Sequence, residues 1–239
     1  MEFVNIITGL AYLASAIILI TKTKNTKLPA SKNIFWALTA FSIMKAIAVL
    51  SGSASELIPT ESRQIISIPH REFFSTLSLT SSGISNIFLL HFGISSLSYK
   101  TSLRLSYEYF PIILFLLYIV LYISGAINPQ DVERLNHYSF GFNGALLGSI
   151  GCFNLYLIKK TSGEKKMLSG FLVCCLGLFV YSLSDGIMVD PISKIPLIRG
   201  IRIELIEMLR LFPAACILIS SLFIVRLLKK EQKSKIGFI

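Results

Sequence analysis

The chain has 239 residues, 53% of them hydrophobic and only 15% charged, with a mean hydropathy of +0.69. A soluble domain carries about 25% charged residues, so this composition excludes an ordinary soluble domain and points to a polytopic membrane protein. The net charge of +10 would suit a nucleic-acid binder, but its distribution along the chain follows membrane topology instead, and no nucleic acid is expected as a partner.

The first apolar run covers 3–21. No basic residue precedes it, and Lys22, Lys24 and Lys27 follow. A secretory signal has the opposite order, so this run reads as a spanning helix. The second run covers 33–52 and gives way to a polar stretch in which Pro59 and Pro69 read as helix breakers. The third run, 73–98, is rich in Ser, Thr and Gly. The fourth, 110–127, stops at Asn128-Pro129, and the fifth covers 136–158. The sixth, 167–189, stops at Asp190-Pro191, and the seventh covers 204–228. These lengths fit the roughly 17–25 residues of a spanning helix, and lipid admits only helices or closed barrels. The expected fold is a single all-α integral membrane domain over 1–239, a bundle of seven transmembrane helices with a short basic tail at 229–239.

The loops set the orientation. Fifteen lysines and arginines fall on one side of these runs, among them Lys100, Arg104, Lys159, Lys160, Lys229 and Lys230. Six fall on the other: Arg63, Arg71, Arg134, Lys194, Arg199 and Arg202. The positive-inside bias puts the larger group in the cytoplasm. The N-terminus is then outside and the C-terminus inside, with membrane lipids as neighbours of the basic loops. The short tail leaves no place for a soluble catalytic domain, so the chain is not expected to be an enzyme.

Five polar residues fall inside apolar runs near the outer boundary: Lys45, Asn143, Asp185, Glu207 and Arg210. At about 1.5 Å per residue, all lie within roughly 10 Å of that boundary. Intramembrane charges face a bundle interior or a water-filled space. These five are therefore read as the ligand-binding lining of a pocket in the outer half. The competing structural reading pairs Asp185 with Arg210 and lets Lys45 snorkel outward.

No metal or other cofactor is expected. Cys152, Cys174, Cys175 and Cys216 all lie in apolar runs without metal-type spacing. His91 and His137 differ in depth by roughly 25 Å at the helical rise, too far to share one haem. His70 is read as lying in the loop before the third run. A retinal protein would need a lysine in the middle of the last helix, and 211–221 has none. Intramembrane zinc hydrolases often need histidines on that helix, which also has none. Small residues such as Gly141–Ala145 and Gly144–Gly148 read as sites of close helix packing.

The fifth run reads HYSFGFNGALLGSIGCFNLYLIKK, from His137 to Lys160. It resembles a signature, roughly R-Y-x-x-G-x-P-G-A-L-L-A, of the seven-helix N-terminal sensory regions of some bacterial membrane histidine kinases and diguanylate cyclases. Tyr138, Gly141, Gly144, Ala145, Leu146 and Leu147 match, while His137 stands for the arginine and Asn143 for the proline. LLHFGISSL, from Leu89 to Leu97, is similar to that family's F-L-x-x-F-G-x-x-L-L. GIRIELIEMLRLFPAA, from Gly200 to Ala215, is similar to G-I-P-V-E-L-x-R-A-L-x-A, with the basic residue shifted. The resemblance implies a sensory or receptor-like module of the bacterial inner membrane. It would bind a small or lipid-derived ligand and signal through a cytoplasmic or membrane partner. Two other readings stand beside it. One is a small-solute carrier, using Pro213 as a break in the last helix. The other is an accessory subunit of a membrane complex.

Overall fold

The structure, a computed structural model, describes residues 2–23, 29–58, 67–97, 113, 116–117, 120–121, 124–126, 140–160, 165–189 and 209–223. Among these residues the architecture is all-helical. The helices are α1 (Glu2–Thr23), α2 (Pro29–Leu57), α3 (Ser67–Leu97), α4 (Asn143–Lys160), α5 (Lys165–Val189) and α6 (Leu209–Phe223). The spans Phe3–Thr21, Ile34–Leu57, His70–Leu97 and Phe140–Leu157 are each long and apolar enough to cross a membrane. The apolar stretches Ser169–Ser184 of α5 and Leu209–Phe223 of α6 are shorter. The fourth apolar run lies outside the described residues except at a few positions. Of these, Ile113, Leu116, Leu117 and Val120 are helical and exposed.

Several ends differ from the sequence expectation for local reasons. α2 begins four residues early, on Pro29, whose missing N–H costs nothing in the first helical turn. α3 begins at Ser67 and takes in Pro69. That proline does not break the helix, because the first turn has no intrahelical donor to lose. His70 is accordingly in α3, exposed near its start, and not in a loop. α4 is entered through a π-type turn over 140–142. α6 is helical on both sides of Pro213 within the described residues.

Many hydroxyl residues of these apolar helices donate within their own helix. Thr8 donates to the Val4 carbonyl at 2.7 Å, Ser15 to Ala11 at 2.7 Å and Thr39 to Phe35 at 2.7 Å. Ser220 and Ser221 both donate to Ile217. A hydroxyl that returns its proton to the preceding turn can be buried among apolar groups without an orphaned donor. The core gathers Phe41, Leu38, Leu89, Leu178 and Ile217, all essentially inaccessible. Large apolar side chains such as Phe3, Leu10 and Ile17 on α1, and Leu176 and Phe179 on α5, point outward. Water penalises such a surface, whereas lipid accepts it.

Close approaches fix how the helices run. A Cβ on Gly144 would lie 2.9 Å from Leu90 N, and one on Gly93 would lie 2.7 Å from Gly148 N. A Cβ on Gly151 would lie 2.6 Å from Ser96 Cβ. Only residues without a side chain let α3 and α4 come this near. The three levels ascend together, so α3 and α4 are parallel. α1 is antiparallel to α2, because Gly9 meets Leu50 while Tyr12 meets Phe41. α4 is antiparallel to α5, because Gly148 meets Leu178 while Ser149 meets Cys175. Gly177 of α5 packs on Cys216 of α6. Ser78 meets Ala48 while Asn86 reaches the level of Phe41 through Tyr181, so α2 and α3 are antiparallel. Arg210 shares the cavity wall with Tyr181 while Cys216 meets Gly177, so α5 and α6 are antiparallel too. The starts of α1, α3, α4 and α6 and the ends of α2 and α5 therefore share one end of the bundle.

Candidate functional site

At that end a cavity of about 210 Å³ opens between α1, α2 and α3, with Tyr181 of α5 and Arg210 of α6 completing its wall. Its lining comes from polar residues set at helical spacing on otherwise apolar helices. Asn5, Thr8 and Tyr12 share one face of α1. Lys45, Val49, Gly52, Ser53 and Glu56 follow one face of α2, and Ser78 and Ser82 one face of α3.

The deepest part is built on aromatic packing. The Tyr12 and Phe41 rings meet edge to face at 5.7 Å, and the Phe41 and Tyr181 rings do so at 6.0 Å. The Lys45 ammonium sits 4.9 Å from the centroid of the Tyr181 ring. A cation over an aromatic face gains about 0.5–2 kcal/mol, more as water is excluded. The Tyr181 hydroxyl in turn donates to Asn86 Oδ1 on α3 at 3.0 Å, and both residues are buried. The ring is thus held from behind while its face carries Lys45.

The middle of the cavity presents hydroxyl oxygens. The protons of Thr8, Ser53 and Ser78 go to the carbonyls of Val4, Val49 and Ala48, at 2.7, 3.1 and 2.7 Å. The Ser78 bond crosses from α3 to α2, and Gly52 leaves the room for it: a Cβ there would meet Ser78 Oγ at 3.1 Å. What these three hydroxyls offer a ligand is acceptor lone pairs. At the rim stands the carboxylate of Glu56, which is exposed.

Of the five residues expected to line an outer pocket, the structure brings Lys45 and Arg210 to one cavity. Asn143 stands at the same end of the bundle, exposed at the start of α4, and is not part of this lining. Asp185 lies in the last helical turns of α5, one turn beyond Tyr181 towards the same end. Glu207 lies outside the described residues, as does His137. Cys152, Cys174 and Cys216 are buried thiols and Cys175 is half-buried.

Tyr12, Tyr181, Asn5, Thr8 and the serines carry no intramembrane charge to mark them. The signal of the α1 and α3 residues is periodic: Asn5, Thr8 and Tyr12 stand at i, i+3 and i+7, and Ser78 and Ser82 at i and i+4. Glu56 falls in the polar stretch after the second apolar run, and α2 extends to Leu57 and carries it on the cavity face. Comparison with known protein families, with curated proteins and with solved structures finds no match to this chain.

Proposed function

We propose that the chain is a receptor-like sensory module of a bacterial inner membrane. It binds a small or lipid-derived ligand in this cavity and passes the change to a cytoplasmic or membrane partner. The observation that carries the reading is the convergence of Lys45 and Arg210, from two helices, on a cavity floored by Tyr181. Charged groups at this depth are costly to maintain and mark binding sites by default.

The seven-helix bundle with its N-terminus outside is part of the same proposal. Its support is the parallel course of α3 and α4, separated by the apolar run 110–127. Two parallel neighbours need an intervening passage in the opposite direction, and that run has the length for one. The skew of basic residues supports putting the cavity end outside the cell. Asp185, Glu207 and Asn143 belong to the proposed ligand-binding set on the sequence argument alone. The resemblance of 137–160 and 200–215 to sensory regions of histidine kinases and diguanylate cyclases supports the sensory role over that of a carrier.

The test is thermal unfolding of the purified chain in neutral detergent, with and without an organic extract of its native membranes. A ligand present at about 100 times its Kd adds about 2.7 kcal/mol to stability. For a chain of this length each kcal/mol raises Tm by about 2–4 °C. The extract is expected to raise the Tm of the wild type and to leave Lys45→Met unmoved. Equal shifts in both would remove the cavity from the account.

A further inference from the structure

The cavity is not uniform along its length, and its gradient describes a ligand. This inference rests on the binding role proposed above and deepens it. Contacts between helices order the lining into levels. Lys45 lies over Tyr181 at the deep level, with Tyr12 beside it. Thr8 and Ser78 belong to the middle, because Gly9 meets Leu50 and Ser78 donates to the carbonyl of Ala48. Ser53 and Glu56 lie progressively closer to the open end of α2. From Lys45 to Glu56 is eleven residues, or about 16 Å at the helical rise.

The deep level presents an ammonium. The middle level presents hydroxyl oxygens whose protons are already committed to Val4, Ala48 and Val49. The rim presents a carboxylate. A plain anion would find its partner at the deep level and then a wall of acceptors facing it, ending in a negative charge. An amine or ammonium would find acceptors everywhere except beside Lys45. We infer that the cavity takes a small zwitterion, with its oxyanion towards Lys45 and Arg210 and its ammonium towards the hydroxyl oxygens and Glu56. The charges of Lys45, Arg210 and Glu56 stand at these places whatever else the side chains touch.

Size narrows the class. A cavity of about 210 Å³, open at one end, suits a headgroup-sized solute. A phosphoryl or carboxyl group joined to an amine by two or three carbons fits the volume. It is shorter than the distance from Lys45 to Glu56, so its ammonium rests against the hydroxyl oxygens of the middle level and Glu56 acts on it through space from the rim. Such a group can come as a free solute or as the headgroup of a lipid whose tails remain in the bilayer.

The experiment is titration of the full-length protein in neutral detergent with phosphoethanolamine, glycerol phosphate or ethanolamine. In parallel, thermal unfolding is measured in nanodiscs of phosphatidylethanolamine or of phosphatidylglycerol, each diluted in phosphatidylcholine. Phosphoethanolamine is expected to bind more tightly than either half-molecule. Glu56→Gln, at an exposed position, should weaken phosphoethanolamine by about two- to fivefold, the scale of an exposed charge pair. The same variant should leave glycerol phosphate unchanged or slightly tighter, while Lys45→Met weakens both phosphates. A free-solute source predicts binding in detergent and no preference between the nanodiscs. A lipid source predicts stabilisation by phosphatidylethanolamine that Glu56→Gln reduces. Equal binding of glycerol phosphate and phosphoethanolamine, insensitive to Glu56→Gln, would overturn the zwitterion. So would the absence of any effect of all these probes. In either case a Lys45-dependent shift by native membrane extract would keep the receptor reading, and its absence would remove that too.

Discussion

Tyr181 does two things with one side chain. Its face carries Lys45, and its hydroxyl bonds Asn86 across the α3–α5 contact. The two roles separate by substitution. Tyr181→Phe keeps the ring and removes the buried hydrogen bond, a loss of about 1–3 kcal/mol. It is expected to lower Tm in detergent while ligand binding through Lys45 persists. Tyr181→Leu removes both and should lose binding as well as stability. A Tyr181→Phe variant with wild-type Tm would show that the Asn86 bond holds nothing in place. Lys45 and Arg210 could be picked out from the sequence because a charge inside an apolar run is conspicuous. Tyr181 could not, because a tyrosine in such a run looks like core. Its importance comes from a lysine on another helix and an asparagine on a third, and no local pattern encodes that meeting.

The helices place these residues by approaching closely at glycine. α3 and α4 touch through Gly93, Gly144, Gly148 and Gly151, and the contacts are not equivalent. A Cβ on Gly93 would press on the backbone of Gly148 at 2.7 Å, and backbone cannot yield cheaply. A Cβ on Gly148 would first meet Leu178 Cδ1 at 3.0 Å, the tip of a side chain that can move. Gly93→Ala is therefore expected to destabilise by about 1–3 kcal/mol through overpacking. In Gly148→Ala the helix propensity gained, about 1 kcal/mol, offsets the crowding, so the change should be close to neutral. Unfolding of the two variants side by side checks the contrast, and equal losses would mean that the α3–α4 approach is looser than described. The small-residue spacing at Gly144–Gly148 was legible from the sequence, and the structure puts it at a helix contact. Which helix it meets was not legible, because spacing marks a smooth face and says nothing of what covers it. Element ends were the weakest part of the sequence reading. Pro69 illustrates why: proline stops a helix from within but is welcome in its first turn, and hydropathy does not say which position it holds.

At the scale of the molecule, the apolar exterior, the many hydroxyls bonded within their own helix and the polar cavity form one design for a bilayer. The composition made the membrane setting plain, because a 15% charged chain has too little polar surface for water. The cavity's position at one end follows from the parallel and antiparallel courses of the helices, which only their contacts reveal. The claim on which the function depends is that this end faces outward and is open. Glu56 lies at its rim, and the native cysteines are buried or half-buried. The direct test is labelling of Glu56→Cys in intact cells with a membrane-impermeant maleimide, with the wild-type chain as the blank. Labelling without permeabilisation, above the blank, is the result the account predicts. Labelling that appears only after the membrane is opened would put the cavity on the cytoplasmic side and contradict it.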